Sequence, residues 1–182
     1  MLPILLVPHN TLRAKSLPIT HLTPEIQAQV VDLIDALRAA RDPEGVGLSF
    51  PQIGLPLRGF VTYLEKRIKV YLNPEILDLS EETTLGGTPE RPTLEGCLSI
   101  PHYYGPVWRS KRIKIRALDE RGVEFTKLLT NFPARLALHE YDHLEGVLFT
   151  DYTLRDNLPL YFLDSAKDKF VEVKEPASVI KW

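Results

Sequence analysis

At 182 residues, 44% of them apolar and 25% charged, the chain has the make-up of one ordinary globular domain able to bury a sizeable core. A formal net charge of -2 gives no electrostatic case for nucleic acid or an anionic membrane, and no apolar run approaches the ~20 residues needed to span a bilayer. The lone cysteine, Cys97, excludes an intramolecular disulfide and fits a reducing cytoplasm.

In chain order, the apolar opening 1–8 lacks a basic stretch and a small-residue cleavage site, so it reads as a strand or a core-covering arm rather than a signal peptide. Thr23-Pro24-Glu25 opens a helix with a capping hydroxyl, a first-turn proline and a favourably placed acid. Ile26, Val30, Leu33, Ile34 and Leu37 give it one apolar face, and the turn cluster Asp42-Pro43-Glu44-Gly45 should stop it. Strands are expected at 59–63, 68–72, 76–79, 112–118 and 124–129, the last two joined by a hairpin turn at Glu120-Arg121-Gly122.

The stretch 80–92 reads as a loop. In the basic run from Arg109 to Arg116, Arg112, Lys114 and Arg116 alternate with Ile113 and Ile115, which predicts a solvated strand face rather than a nucleic-acid stripe. A second helix is expected at 133–144. Beyond Asp151, Asp156-Asn157-Leu158-Pro159 interrupts structure and 170–174 alternates like a strand. There is no repeat and no second-domain boundary, so residues 1–182 are read as a single domain with a divergent tail at 155–182. Helix, strands, then helix without a βαβ rhythm favours α+β over a doubly wound sheet.

Within the second helix, His139-Glu140-Tyr141-Asp142-His143 puts two imidazoles at i and i+4 on one face, with a carboxylate beside the first. Such a pair can hold a metal ion while Glu140 takes a proton from bound water, or it can be two surface histidines on an amphipathic helix. A catalytic site needs a third ligand. Cys97, within Glu95-Gly96-Cys97-Leu98-Ser99, offers a thiolate suited to Fe(II) or Zn(II), though a lone cysteine also serves as buried filler. In Gly45-Val46-Gly47-Leu48-Ser49-Phe50-Pro51-Gln52 the glycines leave room for close backbone approach and Gln52 carries an amide donor; alone, the segment is a glycine turn entering a loop.

Together, in this order, the three segments resemble the signatures G-x-G-L-x-x-x-Q, E-G-C-x-S and H-E-x-x-H of the peptide deformylase family, at 45–52, 95–99 and 139–143. The flanks match too, at Asn73-Pro74, Ile100-Pro101, Pro133-Ala134-Arg135 and Leu144-Glu145-Gly146, so the resemblance covers roughly residues 2–152. It implies an α+β fold with mixed or antiparallel sheets packed around a central helix carrying H-E-x-x-H, after a long N-terminal helix. It also implies removal of the N-formyl group from the formylmethionine of nascent polypeptides, releasing formate.

The resemblance assigns Cys97, His139 and His143 to one divalent metal ion, Fe(II) natively, with Zn(II), Ni(II) or Co(II) able to occupy the same ligands. It makes Glu140 the general acid/base for attack by metal-bound hydroxide, and Gln52 with the Leu98 backbone N–H the oxyanion donors. Val46 and Gly47 would bind substrate backbone as an added strand, and Leu136 and Ile100 would line the methionine pocket. Asp142 would orient a ligand imidazole unless it is merely an exposed helix acid, and Arg109, otherwise a surface cation, would fix the cysteine loop beside Glu95. His9, His21 and His102 match no motif and read as surface or loop residues.

Two residues depart from the family pattern. Phe50 stands where a small residue is common and would either narrow the site or pack behind it; Leu138 stands where glutamine is frequent. The resemblance implies a formylmethionyl peptide as substrate and the ribosome near the nascent-chain exit as an expected further partner, in the cytoplasmic setting that the lone cysteine already fits. Some bacterial members dock there through a C-terminal helix, which this tail does not resemble. Two competing readings are a zincin-type peptidase, whose third ligand would be a histidine or carboxylate rather than Cys97, and a catalytically silent relative that binds peptides or ribosomes.

Overall fold

The structure is a computed structural model and describes residues 2–41 and 44–182. Met1 of the opening arm and the 42–43 part of the expected turn lie outside the described residues. Residues 2–8 form no strand. They run as an arm, with Leu2 and Ile4 packed on one core cluster and Val7 on another. Its backbone donates from Leu5 N to Gln52 O (2.7 Å) and from Val7 N to Ser99 O (3.0 Å).

Helix α1 (Pro24–Ala39) starts where Thr23 Oγ1 accepts from Ile26 N, and it buries Val30, Leu33 and Leu37 in the first core. Strand β1 (Gly47–Ser49) follows and leads into a 3-10 turn, Phe50–Ile53. Next come β2 (Gly59–Leu64), β3 (Arg67–Leu79), β4 (Thr83–Thr84), β5 (Leu94–Cys97), β6 (Ile100–Pro106), β7 (Arg109–Ser110), β8 (Arg112–Leu118) and β9 (Glu124–Thr130). The order ends with α2 (Asn131–Leu144), α3 (Phe149–Arg155), β10 (Tyr161–Asp164), β11 (Lys169–Glu172) and α4 (Pro176–Val179).

The fold is α+β with antiparallel sheets. The order β1-β2-β3-β8-β9 makes the first, β11-β10-β6-β5 the second, and β4 pairs with β7 apart from both. Helix α2 packs against β1, β2 and β9. No helix among the described residues is long and apolar enough to cross a membrane.

Several elements differ from the sequence expectation for local reasons. The two strands expected at 68–72 and 76–79 are one strand, β3, because Asn73-Pro74 forms a bulge instead of a break. Asn73 takes a left-handed φ of 48°, and its amide side chain bonds both the N–H and the C=O of Ile19. A short side chain that satisfies backbone groups tolerates that conformation. The 80–92 loop contains β4, tied to β7. Helix α2 begins at Asn131, two residues before Pro133, and Gly146 (φ 72°) follows its end, where a Cβ would overlap Arg13 O.

Strand β8 alternates as expected, with Ile113 and Ile115 fully buried. Its cations pair with β3 acids, Arg116 with Glu75 at 2.5 Å and Arg112 with Asp78 at 3.4 Å, so the basic face is balanced in place.

Phe50 is fully buried in the first core and packs behind the site, against the first residue of β2. A Cβ on Gly59 would lie 2.9 Å from Phe50 Cε2 and 3.1 Å from Leu72 Cδ2, both in a filled core. Gly59→Ala is therefore expected to lower unfolding free energy by about 1–3 kcal/mol, the usual cost of overpacking. Urea denaturation reads this directly, and an unchanged midpoint would mean the core yields more freely than its packing implies. Leu138 likewise packs on the second core, beside Phe60, Ile113 and Ala137, on the helix face turned away from the cavity.

Candidate active site

Three elements deliver the site. Strand β5 ends at Cys97, α2 presents His139 and His143 one turn apart, and the turn after β1 carries Gln52. Cys97 Sγ and one donor nitrogen from each histidine lie within 4.8 Å of one another, and all three residues are buried. His143 Nε2 is 3.3 Å from Cys97 Sγ. His139 has its Nδ1 3.0 Å from Glu95 Oε2, which turns its Nε2 toward the shared space. One soft sulfur and two imidazole nitrogens, with the outer nitrogen of one ring engaged by a carboxylate, suit a divalent transition-metal ion and leave a coordination position for water or substrate.

Gln52 is held by its own carbonyl. Ser49 N and Ser49 Oγ both donate to Gln52 Oε1 at 2.9 Å, which fixes the amide and aims Nε2 at Cys97 Sγ (3.5 Å) and Ser99 Oγ (3.2 Å). Glu140 is 3% exposed, and its Oε2 has no protein partner. Burial, with the negative charges of Glu95 and Asp142 set against the pull of His139, pushes its carboxyl up to about 7. A Cβ on Gly47 would overlap Glu140 Oε1 and sit 2.9 Å from Leu136 Cδ1. Only glycine lets β1 run this close to α2, which is the physical content of the second glycine in the 45–52 segment.

A buried ion network braces the centre from behind. Glu95 accepts from Arg109 Nε and Nη2 (2.9 Å each) and from Arg135 Nη1 (2.7 Å). Arg135 also donates to Val107 O and Thr84 O, and Arg109 Nη1 to Asp142 Oδ2 at 2.5 Å. Burial opposes charge on Glu95, but the Arg109 guanidinium and the bonds from Arg109 and His139 hold its carboxyl well below the usual carboxylate range. Asp142 does not reach an imidazole. Its oxygens take Arg109 and the Tyr152 hydroxyl (3.0 Å), and the acid that engages His139 is Glu95. Residue 142 lies three positions past His139 on α2, and β5 rather than the helix itself supplies the acid facing Nδ1.

The centre opens into a cavity of about 190 Å³ bordered by Val46, Gly47, Leu136 and Glu140. Ile100 does not line it: it is 1% exposed and belongs to the third core cluster with Leu148 and Phe149. Leu94, Leu98, Tyr104 and Phe132 take up the apolar lining. Sequence reasoning missed Ser49, Arg135, Tyr104 and Tyr152. Only Arg135 left a signal, an arginine inside the apolar run of a core helix. His9, His21 and His102 are exposed, away from the cavity.

A family model described as polypeptide deformylase matches residues 1–157. A peptide deformylase of Phenylobacterium zucineum is 39% identical over 157 residues, covering 84% of this chain and 87% of that protein. The crystal structure of peptide deformylase from Thermotoga maritima aligns with a TM-score of 0.74 and 33% identity, over 84% of this chain and 97% of the other. A peptide deformylase from Synechococcus elongatus, solved in complex with actinonin, aligns with a TM-score of 0.74 and 28% identity over 83% of this chain and 78% of that one. A sulfur–imidazole donor set beside a buried glutamate, on a fold and sequence shared at this level, leads to one conclusion: the chain belongs to the polypeptide deformylase family.

Proposed function

We propose that this chain hydrolyses the formyl amide of N-formylmethionyl peptides, releasing formate and a peptide with a free amino terminus. The observation that carries the reading is the convergence of the Cys97/His139/His143 donors at a cavity that Cys97 and His139 border together with the buried Glu140 carboxyl and the aimed Gln52 amide. Residues 1–182 are read as one catalytic domain, with α2 as the central helix bearing the two histidine donors and α1 as the long N-terminal helix closing the first core.

Cys97, His139 and His143 would hold one divalent ion, Fe(II) natively, with Zn(II), Ni(II) or Co(II) fitting the same donors. When bound, it supplies Lewis acidity that acidifies a water and polarises the formyl carbonyl. Gln52 offers its amide N–H, and Leu98 its backbone N–H, to the oxyanion that develops on the formyl oxygen. Glu140 accepts the proton of the attacking water and passes it to the leaving amine; a carboxyl poised near neutrality suits both halves of that transfer. Among the described residues, β1 is paired on one edge alone, with β2, and its free edge at Gly47 receives the substrate backbone as an added strand, with Val46, whose carbonyl accepts from Tyr63 N on the β2 side (2.7 Å), bordering that edge. Leu136 borders the side-chain pocket. Glu95, Arg109 and Asp142 position the donors, Glu95 by direct contact with His139.

Cys97 in the donor set argues against a zincin-type peptidase, whose third ligand would be a histidine or carboxylate. The intact Glu140 and Gln52 argue against a silent relative. We place the activity in the cytoplasm, where a thiolate ligand stays reduced, with the ribosome near the nascent-chain exit as a partner.

The test is formate release from formyl-Met peptides by anaerobically purified protein; no release from metal-loaded protein overturns the reading. Replacing the sulfur tests the ligand set separately. Cys97→Ser is expected to lose most of its metal through a single desalting step, measured by elemental analysis. A serine variant with full metal content and full activity would defeat the assignment of Cys97.

A further inference from the structure

Residues 158–182 lie beyond the stretch matched by the family model, yet the fold builds them into the sheet that carries Cys97. Strand β10 pairs with β6, Tyr161 opposite Tyr104 and Phe162 opposite Tyr103. Strand β11 folds back on β10, setting Phe170 opposite Leu163. Within the same sheet Tyr104 is the cross-strand partner of Gly96, next to Cys97. Its ring lies directly on that glycine, since a Cβ there would overlap Tyr104 Cε1 and come within 2.7 Å of Cδ1. Phe170 meets Tyr104 edge-on, with ring centroids 5.2 Å apart and planes at 80°. Tyr104 in turn borders the cavity that contains Glu140 and Gln52.

We propose that the β10–β11 hairpin sets substrate fit in this enzyme: Phe170 presses Tyr104 onto Gly96 and so fixes the width of the cavity that receives the formylated residue. The inference rests on the deformylase reading. Phe170 is a positioning residue, 44% exposed and outside the cavity lining, and acts on substrate through Tyr104. With Phe170 truncated, Tyr104 loses this edge-to-face contact and its ring packs less closely on Gly96, while the metal donors, Glu140 and Gln52 keep their contacts. The cavity then grips its occupant less well, and the chemistry, once substrate is bound, proceeds as before. That separation gives the hairpin a kinetic signature different from a general loss of stability.

The experiment compares Phe170→Ala, Phe170→Tyr and Val171→Ala with the unaltered holoenzyme on formyl-Met-Ala-Ser and formyl-Phe-Ala-Ser. Phe170→Ala is expected to raise KM for the methionyl peptide about three- to tenfold, the scale of one aromatic pair, with kcat within about twofold. Its preference for methionine over the bulkier phenylalanine shrinks. Phe170→Tyr restores both values, because it keeps the ring. Val171, whose side chain alternates to the other face of β11, keeps the original KM when cut to alanine. An unchanged KM in Phe170→Ala, a fall in kcat alone, or an equal shift in Val171→Ala overturns the inference and leaves the deformylase reading standing. No formate release by the unaltered enzyme overturns both.

Discussion

Glu140→Gln is expected to cut the rate of formate release at saturating peptide by about 10²–10⁴-fold, the range a positioned general acid/base contributes. The amide has nearly the carboxylate's shape, so it still fits the gap beside Gly47 where no larger neighbour is tolerated. The loss is therefore one of proton transfer and not of packing. Metal content is expected to stay at the wild-type level, because Glu140 is not among the converging donors. Stability should hold or rise, since the carboxyl is buried with one oxygen unpartnered and its charge is already disfavoured. Formate assays and elemental analysis on the same sample check both parts. Activity within a few-fold of wild type would mean that another group moves the proton, and the assignment of Glu140 would fail.

The second large effect lies behind the centre. Glu95→Gln is expected to destabilise the fold by about 3–5 kcal/mol and to weaken metal binding about 10–100-fold. One carboxylate here faces two buried guanidiniums and an imidazole. Once it is neutral, Arg109 retains Asp142 as its acid, but Arg135 is left with two backbone carbonyls and an uncompensated charge. His139 also loses the acceptor that sets its tautomer and ring angle. Urea unfolding reads the first loss, and chelator competition the second. If unfolding shifts but metal affinity does not, Glu95 is a brace for the arginines and not for His139; if neither moves, the network carries no weight.

The elements legible in the sequence are those whose signals are local. Helix α1 announces itself through Thr23-Pro24 and a 3.6-residue apolar period, and the β8–β9 hairpin through alternation flanking Gly122. Strands β5 and β6 are not legible that way. Their residues obey the needs of the site, with Gly96 bare so that Tyr104 can lie on it, and periodicity is lost. The Asn73 bulge was unreadable for a related reason: what rescues β3 is a bond to Ile19, far away in sequence.

The three convergent segments were recognisable because each keeps its ligand or donor inside a short motif. Their support was not, since a carboxylate on β5 reaching an imidazole on α2 is a product of tertiary packing. Asp142 has the better sequence spacing and Glu95 the better position in space. Phe50 shows the same limit, because its place in the core depends on the bare Gly59 across β2.

The N-terminal arm fastens two loops with main-chain bonds, Leu5 to Gln52 and Val7 to Ser99. Those loops hold the amide donor and the turn after the thiolate, so one extended segment stitches together the two halves of the cavity's chemistry. A peptide N–H is the same whichever residue bears it, apart from proline. The stitching is thus indifferent to the side chains at positions 5 and 7 beyond their need to be apolar, and the arm is free to drift in sequence while the spacing it enforces stays constant.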